Sequence, residues 1–328
     1  MAEKNSSFNQ SDGSAGGQGA SQADLYREWI DMALLTPIRV AWDDWRTQVG
    51  SIIIAFYLLM GTVGVALVEP PTQGQGPRLT PAFQDWSVPL GTNDIGTSIL
   101  SSTVHATPPM LQMIAAGAVF STAIATVVGT VSGYKGGLTD RVLTTLTDIA
   151  MTIPGLPLII LLAALFEPTN PALIGILITI NAWAGLARSI RSQVLSLRDH
   201  SYVEASRIMG APTRRILVDD VLPNIMPYVL INFVNSARNV IFGSVGLYYL
   251  GLLGGTHENW GIMLDGAYNG GAIYSLQVIH WLFVPMFAIV GISFGFVLFA
   301  QGTEKLFNPR IRARHAETVE DDTAPYQE

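Results

Sequence analysis

Six long apolar runs decide what this chain can become: residues 51–69, 110–132, 143–166, 171–190, 226–253 and 281–300. Each is close to the ~20 residues a helix needs to cross a hydrocarbon core of about 30 Å. Lipid offers no water to exposed N–H and C=O groups, so only helices and closed barrels cross it, and these runs are too long and too continuous for barrel strands. Composition agrees, because charged residues make up only 13% of the 328, about half the share usual in a soluble domain. The expected fold is an all-α integral membrane protein with six transmembrane helices. Pro154 and Pro157 fall inside the third run and are expected to kink it.

Lysine and arginine set the orientation, since they accumulate in cytoplasmic loops. All eighteen except Arg78 and Arg238 fall on one side of the six-span layout. That side, with both termini and the loop between the fourth and fifth spans, is expected to be cytoplasmic. Residues 1–24 are rich in Ser, Gly, Gln and Asn and read as a disordered tail. Residues 25–50 mix Trp29, Trp42 and Trp45 with Arg27, Arg39 and Arg46, which suits an interfacial amphipathic segment. The first span is followed by an extracytoplasmic loop at 70–109, a five-helix core at 110–308 and a cytoplasmic tail at 309–328. The net charge of −7 leaves no basic footprint for nucleic acid, and the absence of cysteine excludes thiolate metal sites and Cys nucleophiles.

Residues 198–224 form a polar island between the fourth and fifth runs. The local pattern reads as a helix, a break at Gly210, a restart at Pro212 and a stop at Pro223. Ile216, Leu217, Val218, Val221 and Leu222 recur at helical spacing, with Arg214, Arg215, Asp219 and Asp220 among them. Such a helix buries one face on its own membrane domain and shows charge outward. On these residues alone an ordinary surface helix and a docking elbow both stand.

Glu204-Ala205-Ser206, Gly210 six residues after the Glu, and Leu222-Pro223 resemble the "EAA" loop of permease subunits of binding-protein-dependent ABC importers. Further motifs narrow the resemblance to the dipeptide/oligopeptide type. Residues 89–96 (PLGTNDIG) are similar to its signature before the second span, and Gly133-Tyr134-Lys135-Gly136-Gly137 to its following turn. Trp260-Gly261-Ile262-Met263-Leu264 and the stretch at 307–310 are similar to later motifs. The resemblance implies a cytoplasmic coupling elbow made by Glu204, Ala205, Ser206, Gly210, Arg214, Arg215, Leu222 and Pro223, docking on an ATP-binding subunit. It also implies a second permease subunit, two ATP-binding subunits holding ATP and Mg, an extracytoplasmic binding protein, and a multi-pass location in a prokaryotic plasma membrane. Peptide is the substrate it implies first; sugars and nickel are carried by the same machinery. Asp219-Asp220 depart from the family, whose peptide-type members usually carry a basic pair there.

No GxxxxGK[ST], HExxH or GxSxG occurs, so no cofactor, metal or catalytic residue is expected in this chain itself. Within the fifth run, Asn232, Asn235, Ser236, Arg238 and Asn239 cover an arc of roughly 160° at about 100° per residue. A mid-span arginine normally faces a bundle interior or a watery cavity. This face therefore lines the translocation pathway or hydrogen-bonds one helix to another. Asp148 reads as a structural hydrogen-bond partner or, less simply, a proton relay. Gly129 with Gly133, and Gly291 with Gly295, have the spacing that lets helices approach closely. A rival of another class is an ion-coupled secondary transporter, for which the spans offer few acidic residues beyond Asp148.

Overall fold

The computed structural model describes residues 42, 44–253 and 258–304. The tails at 1–24 and 309–328, most of the segment at 25–50 and the motif at 307–310 lie outside the described residues. Helices follow one another as α1 (Trp45–Leu67), α2 (Ile99–Lys135), α3 (Gly137–Thr152), α4 (Gly155–Phe166), α5 (Pro171–Ile178), α6 (Trp183–Leu197) and α7 (Ser201–Ile208). Then come α8 (Thr213–Tyr249), α9 (Trp260–Asn269) and α10 (His280–Glu304). Among the described residues the only strand-like pairing is one bridge between Thr92 and Ser98.

Among the described residues four helices, α1, α2, α8 and α10, are long and apolar enough to cross a membrane unbroken. The other two expected spans are bent pairs: α3 and α4 meet at 83°, α5 and α6 at 59°. The first break lies where Pro154 was expected only to kink the helix. Ile153 is extended and Pro154 becomes the N-cap of α4. The second break, at 179–182, contains no proline. There the Thr179 hydroxyl donates to Gly117 O of α2 (3.1 Å), and Asn181 Nδ2 donates to Ile153 O (3.1 Å). Asn181 at one break thus satisfies a carbonyl that the other break leaves open, as non-helical chain at membrane depth requires.

Three boundaries differ from those the hydropathy pattern suggests. α2 starts at Ile99, not near 110, so the loop before the second span is shorter than expected. Its first turns are rich in Ser and Thr, but Thr103 and Thr107 turn their hydroxyls back to Ile99 O (2.7 Å) and Thr103 O (3.0 Å). Hydroxyls bonded in this way sit inside a helix without exposing a polar group. The helix after Gly210 does not stop at Pro223 but runs on to Tyr249. The helix of the fourth run likewise continues past residue 190 to Leu197, so that Arg188 and Arg191 both lie within α6.

α2 is the mast of the bundle, packed on α5, α6 and α8. A Cβ at Gly129 would lie 2.7 Å from Ile190 Cβ, and one at Gly133 2.8 Å from Val194 Cβ, both on α6. On the other side of the bundle α1 packs along α10, where a Cβ at Gly295 would come within 2.7 Å of Ile53. Both glycine pairs therefore act as close-packing surfaces. The interior divides into two clusters. The larger joins α1, α2, α8, α9 and α10 around Trp260, Tyr57, Met110 and Ile292. The smaller gathers Ala125, Ile190, Val194, Val203, Ile216, Val221 and Ile225 beneath the loop between α6 and α8.

Candidate functional site

α7 begins after His200 and ends in a compact reversal. Met209 N bonds to Ala205 O (2.9 Å), Gly210 N to Arg207 O (3.0 Å) and Ala211 N to Ser206 O (3.1 Å). Gly210 takes φ +78°, a conformation that an L side chain adopts at a cost. Pro212 then caps α8 at φ −65°. The first turn of α8 leads into a π-helical stretch, Ile216–Val221, and regular helix resumes at Leu222. The wider turn precedes Pro223, which has no N–H to give and whose ring crowds the carbonyl four residues back. It also changes the register: Ile216 and Val221, five residues apart, are both buried, whereas Val218 is exposed.

Val203, Ile216 and Val221 therefore fix the elbow to the bundle. Of the residues singled out in the sequence, Glu204, Ala205, Gly210, Arg214, Arg215 and Pro223 are exposed, and Ser206 and Leu222 are half-buried. Not all of them meet at the turn. At 1.5 Å per residue Pro223 lies about 15 Å along α8 from Thr213. Asp219 accepts from Arg215 Nε at 3.3 Å, an exposed i,i+4 pair. Burial first, and then the charge of Asp220, push the Tyr202 phenol of α7 above its ordinary pKa. Two residues that the motif did not mark stand out at the corner. Ile208 is 80% exposed and Met209 78%. Their only signal in the sequence is two large apolar residues directly before the Gly break of a polar island.

The polar residues of α8 share one arc and differ in exposure along it. Asn235 and Asn239 are exposed, while Asn232 and Arg238 are half-buried beside them and Asn232 Nδ2 donates to Tyr228 O (2.8 Å). Ser236, at one edge of the same arc, is buried. Arg238 Nε is enclosed and makes no hydrogen bond within the described residues. The acidic residues of α3 are engaged by α6. Arg191 holds Asp140 through two bonds of 2.6 Å, and Arg188 pairs with Asp148. Asp148 is thus placed as an ion-pair partner, which favours the structural reading of that residue.

Over residues 125–313 the sequence matches the family described as binding-protein-dependent transport system inner membrane component. The chain belongs to that family. It is 31% identical over 270 residues to the oligopeptide transport system permease protein OppC of Bacillus subtilis, covering 81% of this chain and 86% of that protein. The dipeptide transport system permease protein DppC of the same organism is 28% identical over 283 residues, 82% of this chain and 86% of its own length. OppC of Haemophilus influenzae is 34% identical over 228 residues, 68% of this chain and 70% of that protein. The family region runs from the last turns of α2 through both bent pairs, the elbow and α8 to α10 and beyond. As a member of this family the chain is a multi-pass inner-membrane transport subunit and not itself an enzyme.

Proposed function

We propose that this chain is the permease subunit of an ATP-driven importer of di- or oligopeptides, that residues 198–224 couple it to an ATP-binding subunit, and that this end is cytoplasmic. The observation that carries the reading is the elbow: Glu204, Ala205 and the Ile208–Met209 corner project from a helix pair anchored by Val203, Ile216 and Val221. An apolar tip on a polar arm is what a groove in a partner protein takes up, since a large exposed apolar side chain gains most from burial in a pocket. The anchor beneath it carries a displacement of the tip into α6 and α8. Movement of the elbow against a bundle with two packings is enough to alternate access.

The relatives are named for dipeptide and oligopeptide transport, which supports peptide as the substrate class. ATP and Mg belong to two partner ATP-binding subunits, and substrate arrives on an extracytoplasmic binding protein. A homologous second permease completes the pathway. The face of α8 bearing Asn232, Asn235, Arg238 and Asn239 is turned toward that pathway, because a polar stripe left open by its own bundle is costly against lipid. The test is reconstitution in proteoliposomes with the second permease, both ATP-binding subunits and the binding protein. Expected is ATP-dependent uptake of labelled peptide, none with this chain alone, and at least tenfold slower uptake for Arg238→Ala with assembly intact. Uptake by the chain alone, or ATP-driven uptake of a sugar but not of peptide, overturns the reading; loss of assembly in Arg238→Ala assigns that residue to helix packing.

A further inference from the structure

Where the last turn of α2 meets α7 and the start of α8, a cavity of about 510 Å³ is lined by Tyr134, Lys135, Arg198, Asp199, Arg207 and Thr213, among others. Three of these side chains are cationic and one is acidic. Arg207 lies over the Tyr134 ring, 5.7 Å from its centroid, and Arg198 Nε is 3.5 Å from Asp199 Oδ1. The nearby carboxylate of Asp140 is already taken by Arg191. The net charge of the cavity is thus about two positive.

A second cavity, also about 510 Å³, adjoins the first through Lys135 and Thr213, which line both. Its walls are mainly apolar: Val127 and Val131 of α2 face Leu217, Val218 and Leu222 of α8. Val127 and Val218 are exposed within the described residues. Val127 lies about 12 Å along α2 from Lys135 at 1.5 Å per residue. The groove therefore starts where the apolar run of α2 ends in Lys135 and leads back along that run, from headgroup depth toward hydrocarbon. Lysine and arginine at such a boundary keep their heads in the interface, and basic pockets between membrane helices take anionic headgroups.

We propose that the two cavities form one binding site for an anionic phospholipid. Lys135, Arg198 and Arg207 take the phosphate, and one acyl chain lies in the groove between α2 and α8. The amphipathic order of the two cavities selects this occupant: a soluble anion uses only the first, and an uncharged lipid only the second. The lipid would bridge the membrane-fixed end of α2 and the elbow, so its presence would stiffen the element that moves in transport.

The test is native mass spectrometry of the assembled importer from a neutral detergent, offered vesicles of dioleoyl-phosphatidylglycerol or dioleoyl-phosphatidylcholine. Expected is at least tenfold greater retention of phosphatidylglycerol. The double variant Lys135→Gln, Arg207→Gln should lose that preference, and Val127→Trp, which fills the groove, should reduce retention without removing charge. All three positions are exposed, and co-purification of the partner subunits checks that the variants assemble. Equal retention of the two lipids overturns the proposal, as does unchanged preference in the double variant. Displacement of the lipid by glycerol phosphate at equal concentration makes the site one for soluble anions. Retention by the isolated chain but not by the importer gives the cavity to the ATP-binding subunit.

Discussion

At one end of the bundle, residues 70–98 are tied down by a dense set of hydrogen bonds, backbone to backbone and side chain to backbone. Gly76 N reaches Gly96 O (3.1 Å), Leu79 N reaches Asn93 O (3.0 Å) and Thr92 N reaches Thr80 O (3.1 Å). The Asn93 side chain accepts from Ile95 N (3.1 Å) and Thr97 N (2.8 Å), closing the turn that leads into α2. At the other end, roughly 55 Å away along α2, the elbow has few cross-connections of this kind and rests on Val203, Ile216 and Val221. Hydrogen-bonded backbone fixes one geometry, whereas an apolar seat tolerates small rotations at little cost. The difference teaches which end is scaffold and which is positioned to move.

Two glycines put this comparison to the test, because Gly91 and Gly210 share φ +78°. A Cβ on Gly91 would collide with Thr80 O and sit 2.5 Å from His280 Nε2, while nothing lies within 4 Å of one on Gly210. Gly91→Ala should therefore cost about 1–2 kcal/mol for the left-handed backbone and a further 1–3 kcal/mol for overlap. Thermal unfolding of the purified importer should register this as a clear loss of stability or yield. Gly210→Ala should cost only the first amount, yet change the elbow angle and slow peptide-stimulated ATP hydrolysis. If Gly210→Ala destabilises as much as Gly91→Ala, the elbow is as rigid as the cap and the contrast fails.

At the corner itself, Ile208→Ser with Met209→Ser removes apolar surface already exposed, so stability of the chain should change by less than about 0.5 kcal/mol. Co-purification with the ATP-binding subunits should fall about tenfold or more, since central apolar anchors carry most of an interface's energy. Unchanged co-purification would mean that the docking surface lies elsewhere on the arm, with the charged residues Arg214 and Arg215 the next to test.

Much of this was legible in the sequence, and the rest was hidden for identifiable reasons. The apolar runs marked the spans because lipid enforces length and composition directly. Gly129 with Gly133 and Gly291 with Gly295 marked close packing because only missing side chains permit it. The break at 179–182 was invisible: Thr179 and Asn181 there bond to Gly117 O of α2 and to Ile153 O at the first break, contacts no local pattern states. The early start of α2 was hidden because Ser and Thr read as loop until their hydroxyls find carbonyls of their own helix. Pro223 read as a stop because the usual rule assumes 3.6 residues per turn, and the π-helical turn before it suspends that rule. The exposure of Ile208 and Met209 depends on which face of α7 meets the bundle, which no local pattern states.

The smallest expected effect separates two ion pairs that look alike in a sequence. Asp140 and Arg191 join α3 to α6 through two bonds, with side chains only 19% and 29% exposed. Arg215 and Asp219 join neighbouring turns of one helix, with side chains 73% and 57% exposed. Removing one partner of a partly buried pair leaves a charge short of both water and counter-ion, so Arg191→Ala should destabilise by about 1–3 kcal/mol. An exposed i,i+4 pair loses little when water replaces the partner, and Arg215→Ala should stay within about 0.5 kcal/mol. Thermal unfolding at low and at 0.5 M salt distinguishes the two, since screening weakens the exposed pair and largely spares the sheltered one. A larger loss for Arg215→Ala would mean that the elbow owes its seat to charge and not to Val203, Ile216 and Val221. The elbow would then be a stiff lever, and the softness inferred from its apolar anchor would have to be sought at the 59° and 83° bends behind it.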